Sequence, residues 1–405
     1  MKLKQLVLLM AGVCASQAAM AADLFSATGT VIGATAETRS LKFDTAEQVL
    51  DAPKFENFHR NFATYTGIEQ ASLAINFRGL PMNVEYPLAE DPLLVFTVPS
   101  LGISEHFSGA DRDASQRAFS EFMKNNGGRL LGRIQKKLAE VSANDPIAGN
   151  PNSLMSQMAA NDFANGFGSA LGAKGDAQAA GNLVGVGARV TALREDGIDN
   201  TSVTLPFSYT VRSDIDPRRQ LIFSLPLTYT KVEKAESYNL GFGMAYRLPV
   251  NDNWSLTPGV SYGAVGSSDL GSYAQALGAS ITSTYVLEGK GFDVVIGNMV
   301  GYYKTLKLSV NDYSYNPDIH NGVFRNGIML SQPIRIGGKR MSIEYALVDT
   351  RFVGTKLYNQ GYDEISVTLG TNRNAMSARS FLRAGASYLF SPDTKGVRLN
   401  LGYWF

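Results

Sequence analysis

The chain has 405 residues, and the side chains best suited to nucleophilic, acid–base or metal chemistry are few: His59, His106, His320 and Cys14. Their spacing assembles none of these chemistries. His320 has Asp312, Asn316 and Asp318 nearby in sequence, but no nucleophile is spaced to complete a triad, so a hydrolase is the weakest reading. Separated histidines give no metal-ligand signature. No phosphate-binding glycine loop precedes a helix. Cys14 is the single cysteine, which excludes disulfides and cysteine-built metal sites downstream of it. No cofactor, metal or catalytic residue is therefore expected. The charged residues with a regular placement are Arg189, Arg212, Arg247, Arg383 and Arg398, with Glu344 and Glu364. Each falls on the polar face of an alternating segment. As the lining of a channel they would favour small anionic solutes. Alternatively, the arginines solvate the wall or pair with the two glutamates.

Those positions make sense only within the elements that carry them. From about residue 183 onward, apolar and polar residues alternate with the period of a strand. Val397, Leu399, Leu401, Tyr403 and Phe405 share one face; Arg398, Asn400, Gly402 and Trp404 share the other. The pattern recurs about twelve times, centred near residues 187, 207, 225, 243, 259, 281, 296, 328, 345, 367, 386 and 401. Pro333 interrupts the end of the eighth segment. A soluble sandwich would bury the apolar face between two sheets. A membrane barrel would turn it to lipid, and three features favour the barrel. Aromatic residues mark apolar-face strand ends, at Tyr209, Tyr229, Tyr246, Trp254, Tyr285, Tyr388 and Phe405. Connections alternate between short (214–218, 249–253, 287–291, 337–339) and longer (266–275, 305–321, 354–363). An even strand count brings both barrel ends to the periplasm and puts the longer loops outside. The predicted fold is thus an all-β transmembrane barrel of about twelve antiparallel strands over residues 182–405. Its inner face is rich in small residues, such as Gly241, Gly243, Gly263 and Gly278, which leave the lumen open or filled by something else.

The rest of the chain divides into three parts. Residues 1–21 read as an export signal: Lys2 and Lys4, a short apolar core, and the small-x-small site Ala19-Met20-Ala21. Val13 before Cys14 disfavours lipidation. Residues 22–145 form a small α+β region. Strand-like stretches 70–86 and 93–103 carry a turn at Gly79-Leu80-Pro81, and a helix over 111–141 is broken or kinked by Gly127-Gly128. Arg129, Arg133, Lys136 and Lys137 on that helix would either touch anionic lipid or polyanions, or form a solvated face. Residues 146–181 form a linker. It contains a short polar helix over 153–167, with Asn152 or Ser153 as N-cap and Leu154, Met158, Ala159 and Phe163 at helical spacing. A slim polar helix beside a small-residue lumen suggests a plug; a helix docked under the barrel is the alternative. The formal net charge of +1 gives no reason to expect nucleic acid. No apolar run after the N-terminus is long enough for a spanning helix.

The C-terminal barrel, the preceding helix and the closing Leu399-Asn400-Leu401-Gly402-Tyr403-Trp404-Phe405 resemble the translocator domains of autotransporters. Asn253-Trp254-Ser255-Leu256-Thr257-Pro258-Gly259, within 248–263, adds to the resemblance, which covers roughly 150–405. It implies a Gram-negative outer membrane as the destination, with its lipid as partner. It also implies assembly by periplasmic chaperones and the barrel-assembly machinery, with Leu399, Leu401, Tyr403 and Phe405 as the signal that machinery reads. The chain departs from the family in lacking a long repetitive passenger. It is most similar to solitary, passenger-less barrels of that type, with a structural or transport role. A porin-like channel is the second reading.

Overall fold

The computed structural model describes residues 23–123, 128–168, 170, 182–310, 313–371 and 381–405. The expected export signal 1–21, Cys14 and most of the Gly/Ala-rich stretch 166–181 lie outside them.

An N-terminal domain comes first. Strands β1 (Phe25–Ile32), β2 (Ala36–Phe43), β3 (Gln70–Phe77), β4 (Leu80–Tyr86), β5 (Leu94–Val98) and β6 (Ile103–Phe107) form one antiparallel sheet in the order β2-β1-β3-β4-β5-β6. Helices α1 (Ala46–Asp51), α2 (Phe55–Asn61), α3 (Arg112–Glu121) and α4 (Gly128–Val141) complete it. Asp111 starts α3 by accepting a 2.7 Å hydrogen bond from the Ala114 amide. Phe25, Phe62, Leu73, Phe96 and Phe119 fill the core between sheet and helices. One expectation needs correction. The β3–β4 turn is Arg78-Gly79, with φ of 55° and 88°, so Pro81 lies within β4. Two successive left-handed residues match the twist of a tight hairpin, which a turn one residue later would lose. The helical stretch 111–141 divides into two helices, as the expected break at Gly127-Gly128 requires, with Gly128 opening the second.

The C-terminal half is a closed antiparallel barrel of twelve strands. They are β7 (Leu183–Glu195), β8 (Ile198–Arg212), β9 (Gln220–Val232), β10 (Ala235–Pro249), β11 (Trp254–Ser267), β12 (Ser272–Glu288), β13 (Asp293–Leu306), β16 (His320–Ile336), β17 (Lys339–Gly354), β18 (Gly361–Thr371), β19 (Phe381–Phe390) and β20 (Thr394–Trp404). A small hairpin, β14 (Leu308–Val310) and β15 (Tyr313–Tyr315), sits in the connection from β13 to β16. β20 pairs with β7 from Thr394↔Glu195 to Trp404↔Gly185 and so closes the ring. Val184 and Phe405 add two reciprocal backbone hydrogen bonds of 2.9 and 3.0 Å at its end. Every expected strand centre falls inside an observed strand. Pro333 is tolerated in β16 because the register with β13 stops at Ser331, leaving its missing N–H on an unpaired edge.

Outside, the wall is apolar. Leu205, Phe242, Leu277, Ile281, Val300 and Leu399 are exposed, a surface suited to lipid and costly in water. Tyr209, Tyr246, Trp254, Tyr285 and Phe405 border this band toward the mouth where β7 starts and β20 ends, here the terminal mouth. Tyr238, Tyr273, Tyr302 and Tyr388 border it toward the opposite, distal mouth. The expected contrast in loop length is narrower than the sequence suggested. At the distal mouth, β11 and β12 are joined by 268–271 alone, whereas 307–319 is long. The reason is that the strands run past the aromatic border; β12 and β16 each have 17 residues, which absorbs the extra chain as ribbon.

Candidate functional site

The lumen holds the helix α5 (Leu154–Phe163), continued by a π-helical turn over Ala164–Gly168. Ser153 takes the N-cap position without a capping bond. Backbone carbonyls replace it: the Leu154 amide donates to Pro146 O at 2.9 Å and the Met155 amide to Ile147 O at 3.1 Å. The helix enters near the distal mouth and descends along the inner wall of β10–β13. At the upper end, a Cβ added to Gly263 would stand 2.7 Å from Leu154 Cδ1 and 2.9 Å from Met158 Sδ. At the lower end, a Cβ on Gly327 would come within 3.0 Å of both Phe163 and Phe167. Gly263, Gly297 and Gly327 are thus sockets for side chains of the helix and its π-helical turn, while Gly241 and Gly278 are closed by Pro226 and Tyr303 of neighbouring strands, so close approach explains these glycines.

Polar contacts fix the same helix. Asp162 is buried and accepts from Ser261 Oγ at 2.9 Å and Tyr303 Oη at 2.7 Å. Arg247 donates to the Asn165 carbonyl at 2.9 Å and also to that of Gly166. Thr228 donates to Gln157 at 2.7 Å. The Arg325 guanidinium lies 5.4 Å above the Phe163 ring and donates to Tyr362 Oη at 2.9 Å. Above the helix an asparagine cluster bridges linker and wall. Asn152 donates to Asn200 at 2.9 Å, Asn200 donates to Asn144 at 3.1 Å, and Ser202 donates to Asn152 at 3.0 Å.

The seven charges picked out on the inner face separate into three groups. Arg383 pairs with Glu344, and Arg398 pairs with Glu364 at 3.0 Å while its Nε reaches Thr191 at 3.2 Å. Arg247 is taken by the plug. Arg189 and Arg212 line a cavity of about 420 Å³ left between the plug and the far wall, β7–β9 and β17–β20, together with Pro206, Ile222 and Asn400. Leu399, Leu401, Tyr403 and Phe405 all face outward and are exposed. Asp162, Tyr303, Arg325 and Asn200 were not picked out from the sequence. A signal existed for two of them: Asp162 is the only acid of its helix, and Tyr303 is a large aromatic that follows Gly297 and Gly301 on the inner face of β13.

The N-terminal domain closes the distal mouth. Ile198, Val232, Ala235 and Leu270 from the barrel turns join its core. Arg78, in the β3–β4 turn, donates to Leu270 O at 2.9 Å and to Ser272 Oγ at 2.7 Å, and pairs with Asp145 at 2.6 Å with both side chains fully buried. Burial raises the Asp145 carboxyl above its usual range, opposed by the Arg78 charge; burial also lowers the Arg78 guanidinium. Gln135 donates to Gly271 O at 2.6 Å. Helix α4 lies on the 307–319 connection with Gly128 and Gly132 against the Ser314 and Asn316 carbonyls. His320 stands on this rim, 4.0 Å from Asp318.

No family model matches the chain, and no curated protein matches it by sequence. Among solved structures, it is similar to the beta domain of the Bordetella autotransporter Brka, at 12% identity and a TM-score of 0.44, over 55% of this chain and 98% of that one. It is similar to the translocator domain of autotransporter NalP from Neisseria meningitidis, at 12% and 0.41, over 56% and 88%. An outer membrane channel from Pseudomonas putida F1 is similar at 13% and 0.38, over 55% and 94%.

Proposed function

We propose that this chain is an outer-membrane barrel that carries its own N-terminal domain through the lumen and holds it over the outer mouth. Its role there is structural: a small folded domain displayed at the cell surface on a sealed anchor. The observation that carries this reading is the path of the chain. The domain packs on the distal mouth, α5 fills the lumen, and the barrel begins at Leu183 beside Phe405 at the terminal mouth. Twelve strands put both barrel ends on one side, the periplasmic side in barrels of this kind. Export would use the signal at 1–21, followed by periplasmic chaperones and the barrel-assembly machinery acting on the C-terminal strand.

Protease shaving of intact cells tests the topology. Cleavage within residues 23–145 is the expected result. Protection of these residues in intact cells, with cleavage only after the outer membrane is opened, overturns it. In planar bilayers the intact protein should be nearly silent, and deletion of residues 150–178 should open it. The cavity beside the plug favours a second reading, a channel for small anionic solutes. That reading requires steady conductance with the plug in place and little change on deletion.

A further inference from the structure

The basic residues of α4 do not stand alone at the distal rim. Two clefts flank this helix where it crosses the barrel edge, of about 430 and 490 Å³. The first is lined by Arg129, Arg133 and Lys136 with Lys307 from the β13–β16 connection. The second is lined by Arg133, Lys136 and Lys137 with Lys356 from the β17–β18 connection. Sequence positions far apart thus converge on one ribbon of six cations. Two acids offset it: Asp318, paired with Lys136 at 3.2 Å, and Glu140, paired with Lys137 at 2.9 Å and Lys356 at 3.0 Å. Arg129, Lys307 and Lys356 are exposed. The height of the clefts matters as much as their charge. Along the outer face of β13 the exposed residues run Ile296, Asn298 (hydrogen-bonded to Asn326 on the neighbouring strand at 2.8 Å), Val300, Tyr302 and Lys304, followed by Lys307. That order is hydrocarbon, aromatic border, then cation, which places the clefts at the level of membrane headgroups.

We propose that these two clefts bind the phosphate groups of a phosphorylated glycolipid in the outer leaflet, anchoring the displayed domain to the membrane surface. The inference rests on the topology proposed above, because that topology makes the distal leaflet the outer one. Arginine supplies forked donors to phosphate oxygens and lysine a compact charge, and the two clefts share Arg133 and Lys136. A lipid bearing two phosphates could therefore span both.

The test uses the full-length protein in neutral detergent micelles, with bound lipid counted by native mass spectrometry. The probes are bis-phosphorylated lipid A, the same glycolipid without phosphates, phosphatidylglycerol and inorganic phosphate. The variant is Arg129→Gln/Arg133→Gln/Lys307→Gln/Lys356→Gln. A control of equal charge change is Arg39→Gln/Lys42→Gln/Lys54→Gln/Arg60→Gln. Heat-dependent gel migration confirms a folded barrel in each. The expected result is tight binding of bis-phosphorylated lipid A alone, weakened about a hundredfold by the cleft variant and unchanged by the control. Equal retention of the dephosphorylated lipid or of phosphatidylglycerol, full competition by inorganic phosphate, or equal weakening by the control overturns the proposal. Binding in micelles does not depend on which way the distal mouth faces, whereas shaving does, so the two ideas fail separately.

Discussion

Asp162 sits where a carboxylate is hardest to keep, inside the barrel and away from water, and its Ser261 and Tyr303 donors are what make the position tolerable. Replacing it by Ala removes the buried acceptor of the Ser261 and Tyr303 hydroxyls, at a cost of about 1–3 kcal/mol. The check is denaturant-dependent proteolysis of the plug, with Asp162→Asn expected to lose less. At the distal mouth the Arg78–Asp145 pair gives a sharper outcome. Arg78→Met leaves a buried carboxylate without its counter-charge, a loss of about 3–5 kcal/mol at neutral pH. Burial already raises the Asp145 carboxyl, and losing Arg78 raises it further. A group whose folded-state pKa is raised stabilises the docked form below its unfolded value, and that contribution is lost as pH rises through the folded value. The variant domain should therefore stay docked in mild acid and loosen toward neutrality, read by hydrogen exchange at the rim amides of 268–271. Little of this was visible in the sequence. Glu344 on β17 meets Arg383 on β19, and Glu364 on β18 meets Arg398 on β20, each across an intervening strand. Alternation assigns a side chain to a face; it does not say which residue two strands away lies level with it.

At the scale of elements, the barrel strands were legible because lipid and lumen impose opposite demands on successive residues. The first two strands of the N-terminal sheet were not. β1 (FSATGTVI) is buried or half-buried along its whole length, and β2 (AETRSLKF) is mostly exposed, so neither is divided cleanly into two faces. The plug was legible as a short polar helix, but its seat was one of two open alternatives, since glycine marks open space and close contact alike. The contact reading makes a testable claim. Gly263→Val should collide with Leu154 and Met158, loosen α5 and raise single-channel conductance. Adding Leu154→Ala should return much of the lost silence, because it restores the room the new side chain took. Unchanged conductance in the single variant would show that the helix does not seal the barrel there.

Across the whole molecule, the N-terminal domain and the barrel form one continuous structure joined through the rim core, the buried ion pair and the threaded helix. Losing any one should lower the other two, so thermal scans monitored at the domain and at the plug should give coincident transitions. Separate transitions would mean that the domain is merely tethered. The plug does not sit centrally. It is held by β10–β13, whereas the closing pair β20–β7 borders the cavity, with Gly185, Gly187, Gly402 and Trp404 facing it. The join that completes the ring and the wall that grips the helix are therefore on opposite sides. An opening between β20 and β7 would let a segment pass sideways, or let the last strand be added, while the gripped helix stayed seated. On the topology proposed above, that arrangement would allow the domain to cross and its tether to lock before the barrel is sealed behind it.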